Sequence, residues 1–313
     1  MDFQTSLISV GQLIALTLPG YFLSKAKMLP ADIGNSLVTL LLFVAMPSLT
    51  ISNFLKIDYS PELIIDMGLM VLFGFILLIS SFFLTKLFLI KFTDNAAKRV
   101  CIAAGYMSNC SFIGVPIIQT FFPNNPQPIL YVSMFMVAVS VLTWTLMIYI
   151  ITGDKKYIRF NTSLINPGIV TLIIATPLLI FNVSFPNPVL RVFEYLAGMN
   201  TPLAMLIVGI RLADIKLKEL FTSIKVFYLS FIKLVLIPLY TFGLLMLVRN
   251  IIHINAMTAT TLFIVMAMPS ASYVIVFSER YNGDHETAVK CVLLSSLLSI
   301  LTIPFLMPLS AFF

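Results

Sequence analysis

Gly105-Tyr106-Met107-Ser108-Asn109-Cys110-Ser111-Phe112-Ile113-Gly114-Val115-Pro116 is the stretch on which the fold turns. It sits inside an apolar run over 98–122, long enough to cross the roughly 30 Å of hydrocarbon in a bilayer. Yet Pro116 has no backbone N–H to donate, and its ring crowds the carbonyl four residues earlier. Gly114 loosens the chain beside it. Irregular backbone at membrane depth survives only where protein or a water-filled cavity covers it. A second stretch, Met266-Ala267-Met268-Pro269-Ser270-Ala271-Ser272-Tyr273, repeats the pattern in the run over 256–279.

The chain around these two stretches is made for lipid. Of its 313 residues 59% are hydrophobic and 10% charged, against about 25% charged in a soluble domain. Apolar runs fall at 5–24, 33–53, 62–90, 98–122, 129–151, 164–182, 189–213, 223–248, 256–279 and 287–311. The reading is an all-α membrane protein of ten transmembrane helices. Its longest loop, about 152–163, leaves no room for a soluble catalytic domain. Asp2 and the lack of a basic segment before the first run predict that helix 1 is retained.

Charge sets the expected orientation. Fifteen of the nineteen Lys and Arg residues fall in the loops after helices 1, 3, 5, 7 and 9, and three (Lys56, Arg191 and Arg249) in the others. The excess puts the odd-numbered loops in the cytoplasm and both termini outside. The same distribution removes nucleic acid as a partner for the net charge of +6, because the basic residues form no patch with interleaved aromatics.

Prolines divide the chain in two. Pro19 and Pro177, Pro47 and Pro202, and Pro116 and Pro269 occupy matching helices at offsets of 158, 155 and 153 residues. A five-helix unit used twice, 1–160 and 161–313, accounts for this. Because five is odd, the second copy is inverted in the membrane, a common transporter architecture. Paired interruptions in corresponding helices point to a substrate site, and half-helix N-termini there would offer N–H groups to an anion. The candidate residues are Asn109, Ser111, Gly114 and Pro116 in helix 4, and Pro269, Ser270 and Ser272 in helix 9. Asn109 and Ser111 could instead satisfy backbone groups freed by the break.

Lys233 lies about ten residues into helix 8, near mid-membrane. A charge there costs at least about 2.5–3.5 kcal/mol on insertion scales. It joins the candidates as a partner for a substrate carboxylate, with a structural ion pair or snorkelling as the competing role. Asp66 reads as a residue at the outer interface, and Glu279 and Arg280 as a solvated helix end. Cys101, Cys110 and Cys291 fall in apolar runs and read as packing residues. His253 and His285 give no ligand spacing, so no metal is expected. No Gly-rich phosphate loop predicts a nucleotide or other cofactor, and no paired-Asp or Ser/His constellation predicts an enzyme.

The sequence also resembles the auxin efflux carrier family in its bacterial branch, which includes malate and malonate permeases. The likeness rests on Asn109-Cys110-Ser111-Phe112-Ile113-Gly114-Val115-Pro116, on Met268-Pro269-Ser270-Ala271-Ser272, on Glu279-Arg280-Tyr281-Asn282-Gly283-Asp284, and on the stretch from Ser295 to Pro304. It implies that helices 4 and 9 cross at their breaks. It implies a scaffold of helices 1, 2, 6 and 7 and a transport unit of helices 3–5 and 8–10 that moves like an elevator. It further implies a homodimer through the scaffold, and a carboxylate-holding role for Asn109. The dozen residues between the halves, where plant members carry a long loop, make regulation through that loop unexpected.

The function expected is secondary transport of a small organic anion, a dicarboxylate such as malate first, in the bacterial inner membrane with lipid as surroundings and H+ or Na+ as candidate coupling ions. A sodium-coupled organic anion symporter of similar architecture is the alternative within that class. It would need a cluster of oxygen ligands, which Asn109, Ser111, Ser270 and Ser272 supply only in part. A membrane sensor that binds without transport is the alternative outside it, and would show binding but no uptake in proteoliposomes.

Overall fold

The computed structural model describes residues 3–30, 32–158, 160–161, 165–213, 220–221 and 223–313. Three basic residues of the charge count, Arg159, Lys216 and Lys218, lie outside the described residues. Among those described, the chain is helical throughout, with one isolated antiparallel bridge and no strand.

Seven helices are long and apolar enough to cross a membrane by length and composition: α1 (Phe3–Lys25), α2 (Ile33–Phe54), α3 (Pro61–Phe88), α5 (Gln127–Thr152), α7 (Asn187–Ala213), α8 (Ile224–Arg249) and α10 (His285–Phe312). The other runs give shorter helices. The run over 98–122 splits into α4a (Asn95–Tyr106) and α4b (Cys110–Phe121). The run over 256–279 splits into α9a (Ala256–Ala267) and α9b (Tyr273–Arg280). Finally, α6 (Pro167–Ile180) is 14 residues long.

Local chemistry sets where these helices begin. The Ser60 hydroxyl accepts the Leu63 N–H at 3.1 Å and Pro61 takes the first helical position of α3. Asp94 accepts from the N–H groups of Ala96 and Ala97 at the start of α4a. Asn166 accepts from Ile169 ahead of α6, and Asp284 from Thr287 at the head of α10. Each cap satisfies N–H groups that the first helical turn leaves free.

Inside the helices, π-helical turns precede three prolines: Leu41–Ala45 before Pro47, Cys110–Gly114 before Pro116, and Ile232–Leu236 before Pro238. Widening the turn relieves the clash between the ring and the preceding carbonyl and absorbs the missing hydrogen bond. Pro19, Pro177 and Pro304 are instead accommodated within α-helix.

The helices sort by contact. The second half of α7 packs along α1, its first half meets α2, and α2 also packs against α6. Elsewhere α3 lies against α4a and α5, while α10 touches α4a, α8 and α9b and also packs against α1. The α1–α7 contact is set by two glycines. A Cβ built on Gly209 would stand 2.1 Å from the Thr17 carbonyl oxygen, and one on Gly20 would stand 2.4 Å from that of Leu206. Small residues let backbones approach this closely.

Loops gather at two ends. At one, Arg99 donates to the Thr152 carbonyl at 3.3 Å, Tyr157 meets the Tyr281 ring edge-on, and Lys225 sits over Phe92. At the other, Lys56 pairs with Glu194 at 2.8 Å, and the Tyr59 N–H donates to Asn182. Loops after α3, α5 and α9 therefore share one end, and those after α2 and α6 the other.

Candidate functional site

The two interruptions meet. The Asn109 N–H donates to the Pro269 carbonyl at 2.8 Å, and the Ala271 N–H donates to the Met107 carbonyl at 3.2 Å. Ser108 and Ser270 face each other as an antiparallel bridge between the two breaks. Backbone groups freed from helix are thus paired across the crossing, as buried polar groups away from water must be.

Side chains lock the crossing further. The Asn109 side-chain oxygen accepts the Phe112 N–H at 3.2 Å, capping α4b, while its amide nitrogen donates to the Ser272 hydroxyl at 3.3 Å. The Ser270 N–H donates to the Ser295 hydroxyl of α10 at 3.1 Å. The Ser270 hydroxyl is fully buried and has no partner among the described residues. Gly114 leaves room for Met268, whose Cγ would lie 3.3 Å from an added Cβ.

Lys233 reaches the same place from α8. Its Nζ donates to the Ser108 hydroxyl at 2.6 Å, and the side chain is wholly buried. Among the described residues no carboxylate lies within ion-pair distance of it.

A cavity of about 240 Å³ lies beside the crossing between α2, α4b, α5, α6 and α9b. Its wall is mostly apolar, with Phe43, Trp144 and Phe277, and carries the side chains of Thr50, Ser133 and Asn166. Met136, which accepts the Ser111 hydroxyl at 3.8 Å, joins the wall to the crossing, as do Val115 and Tyr273.

The profile of the family described as "Membrane transport protein" matches residues 5–307. The chain belongs to this family, that of the auxin efflux carriers. Among curated proteins, it is 23% identical over 302 residues to the "Uncharacterized transporter YfdV" of Escherichia coli K12, with 93% of each chain covered. The versions from Escherichia coli O157:H7 and Shigella flexneri match to the same extent.

Membership of the auxin efflux carrier family makes the protein a multi-pass membrane transporter and points away from an enzyme. In this member, six of the eight residues singled out in the sequence lie in the crossed breaks or the turn that follows, Pro116 stands two residues beyond that turn, and Lys233 reaches the breaks through Ser108. None of the eight lines the neighbouring cavity, which they approach to within one residue at Val115 and Tyr273. Sequence reasoning missed Ser108 and Ser295. Ser108 stood in the quoted stretch, one position before Asn109, but only the fold shows which residue faces α8.

Asp66 gains partners that the sequence did not show. It stands at the loop end of α3 as expected, beside Lys56, Glu62, Gln127 and Asn255, but it is buried rather than solvated: its carboxylate accepts the Tyr131 hydroxyl at 2.7 Å and the Asn255 amide at 3.4 Å. Gln127 in turn donates to the Tyr131 oxygen at 2.7 Å. An early helical position says nothing about which neighbour covers it. Tyr131→Phe removes a hydrogen bond to a charged acceptor and is expected to destabilise the protein by about 1.5–3 kcal/mol. Thermal unfolding in detergent reads this, and an unchanged melting temperature would mean that water replaces the phenol.

Proposed function

We propose that this protein is a secondary transporter of a small organic anion, with its substrate site at the crossed breaks of α4 and α9. The observation that carries the reading is the buried antiparallel bridge, where two half-helix N-termini begin beside the buried Lys233 side chain and a Ser270 hydroxyl that has no partner among the described residues. Helix N-termini favour anions through their N–H groups and dipole. Asn109, Ser111, Ser270 and Ser272 are the polar ligands proposed. Gly114, Pro116 and Pro269 keep the backbone open for them, and Lys233 supplies the positive charge.

Ten spans in two inverted halves account for the alternation of the loops and for the antiparallel bridge. In this reading α1, α2, α6 and α7 form a scaffold, through which two copies pair. The unit of α3–α5 and α8–α10 slides against it, carrying the site across the inner membrane with both termini outside. The grouping of helix contacts supports this division.

A dicarboxylate such as malate is the first substrate to test, on the strength of the family resemblance. The apolar wall of the adjoining cavity favours a second reading, a monocarboxylate with an aliphatic or aromatic body. Counterflow in proteoliposomes against mono- and dicarboxylates, with and without sodium and a pH gradient, decides between them. Exchange of at least one anion is the expected result. Specific binding without exchange would make the protein a membrane sensor.

A further inference from the structure

We infer that Gln119 of α4b, with Asn200 and Thr201 of α7, forms a latch that holds one end of the carrier shut, and that each transport cycle breaks and remakes it. This rests on the reading in which the unit carrying α4 slides against a scaffold carrying α7.

Two cavities lead there. The larger, of about 240 Å³, lies among α2, α5, α6, α9b and Val115 of α4b. A second, of about 70 Å³, lies among α1, α7, α10 and α4b, with Leu13, Ile117, Met205 and Ile300 in its wall. In a chain of two inverted five-helix units, α2 corresponds to α7, α5 to α10, α6 to α1 and α9b to α4b. The two cavities are then one cleft seen in both halves, wide in the first and nearly closed in the second. The wide one reaches toward the end with the loops after α5 and α9, at Asn166 and Phe277. The narrow one meets α10 from its middle onward, at Ser296 to Ile303, away from the loop after α9.

The closed side carries a polar contact. The Gln119 side-chain oxygen accepts the Thr201 hydroxyl at 2.7 Å and the Asn200 amide at 3.3 Å. Gln119 is two residues beyond Ile117 in α4b, and Thr201 is four before Met205 in α7. The contact therefore caps the narrow cavity on the side of the loops after α4 and α6. Asn200 is wholly buried and opens the second stretch of α7, Asn200–Ala213, after an interruption at Met199. Hydrogen bonds between helices hold them together where water is scarce. Thr50 with Ser133, at 3.5 Å, and Asn166 with Ser140, at 2.6 Å, also join the two units. Those four residues line the wide cavity, where water or substrate can replace a lost partner, whereas Gln119, Asn200 and Thr201 line neither cavity. The latch is also incomplete. The Asn200 side-chain oxygen is buried with no partner among the described residues. A buried oxygen left unpaired costs free energy, which offsets part of what the two bonds contribute and leaves the latch able to open.

The test labels the purified, full-length protein with a maleimide. Ser299→Cys places a reporter thiol in the narrow cavity, and the protein without it gives the background from the three buried native cysteines. Adding Gln119→Leu, which removes both bonds, is expected to raise labelling of the reporter about tenfold, and adding Thr201→Val, which removes one, about threefold. Labelling of Thr50→Cys, in the wide cavity, is expected to stay within about twofold. An unchanged rate at Ser299→Cys with both substitutions, or an equal rise at Thr50→Cys, would overturn the inference. If Gln119→Leu fails to fold, Thr201→Val carries the test. Bridging the double variant Gln119→Cys/Thr201→Cys with a short bis-methanethiosulfonate is expected to slow counterflow at least about tenfold, with recovery on reduction. Full-rate counterflow in the bridged protein would also overturn it. Absence of counterflow with every anion would defeat the transporter reading, and labelling of Ser299→Cys would still decide the latch.

Discussion

Asn109→Ala is expected to slow anion counterflow by about 10- to 100-fold, the loss that follows from one hydrogen bond to a charged group. Asn109 does three things at the crossing. Its backbone N–H donates to the Pro269 carbonyl, its side-chain oxygen caps α4b at Phe112, and its amide nitrogen donates to Ser272. Alanine keeps the first and loses the other two. The lost cap costs about 1 kcal/mol, which a large membrane protein tolerates, so folding is expected to survive. Asn109→Asp separates cap from donor: it keeps an acceptor for Phe112 but can no longer donate to Ser272, and it sets a negative charge where the substrate anion is proposed to sit. It is expected to be at least as slow as alanine while melting closer to wild type. Uptake at the wild-type rate in both variants would remove Asn109 from the site.

Gly209→Ala is expected to have the largest effect on stability. The new Cβ would lie 2.1 Å from the Thr17 carbonyl oxygen and 2.9 Å from the Tyr21 nitrogen, both backbone atoms that no rotamer change can move. Overpacking costs typically 1–3 kcal/mol, and here relief requires α1 and α7 to separate as rods. Gly20→Ala, facing the Leu206 carbonyl from the other side of the contact, is expected to behave alike. Gly11 is the control: it sits on α1 with nothing within 4 Å of an added Cβ, so Gly11→Ala is expected to be neutral or slightly stabilising through its better helix propensity. Cys101, Cys110 and Cys291 are free and buried, so a thiol-reactive dye reports unfolding directly. Equal melting curves for Gly209→Ala and Gly11→Ala would show that the two backbones do not touch.

How much of this could be read beforehand differs from residue to residue. Pro116 and Pro269 announced interruptions because proline denies a hydrogen bond wherever it stands in a helix. The structure breaks α4 between Tyr106 and Cys110, several residues ahead of Pro116, since a π-helical turn absorbs the proline and the freed backbone pairs with the partner break instead. Asn109 left two roles open in the sequence, backbone cap or ligand. The fold shows the cap at the side-chain oxygen and turns the amide nitrogen to Ser272, and the proposed ligand role falls to that nitrogen. Lys233 was visible as a charge in lipid, yet its partner Ser108, 125 positions away, could not be found by any local period. The partners of Asp66 were hidden for the same reason: Tyr131 of α5 and Asn255 before α9a cover it, and neither is near it in sequence.

By itself the sequence determined what depends on composition and on single-residue stereochemistry: residence in the bilayer, the positions of the apolar runs, the sorting of charge between loops, and the two stretches that could not be continuous helix. Only the tertiary structure decided that those stretches cross and pair as Ser108 against Ser270, that Lys233 reaches them through Ser108, and that Gly20 and Gly209 let α1 and α7 touch. Hydropathy and proline act within one turn of the chain, whereas freed backbone groups and a buried charge take whichever partner the packing of distant helices brings within 3 Å or so. The break was written in the sequence, and its partner was written in the fold.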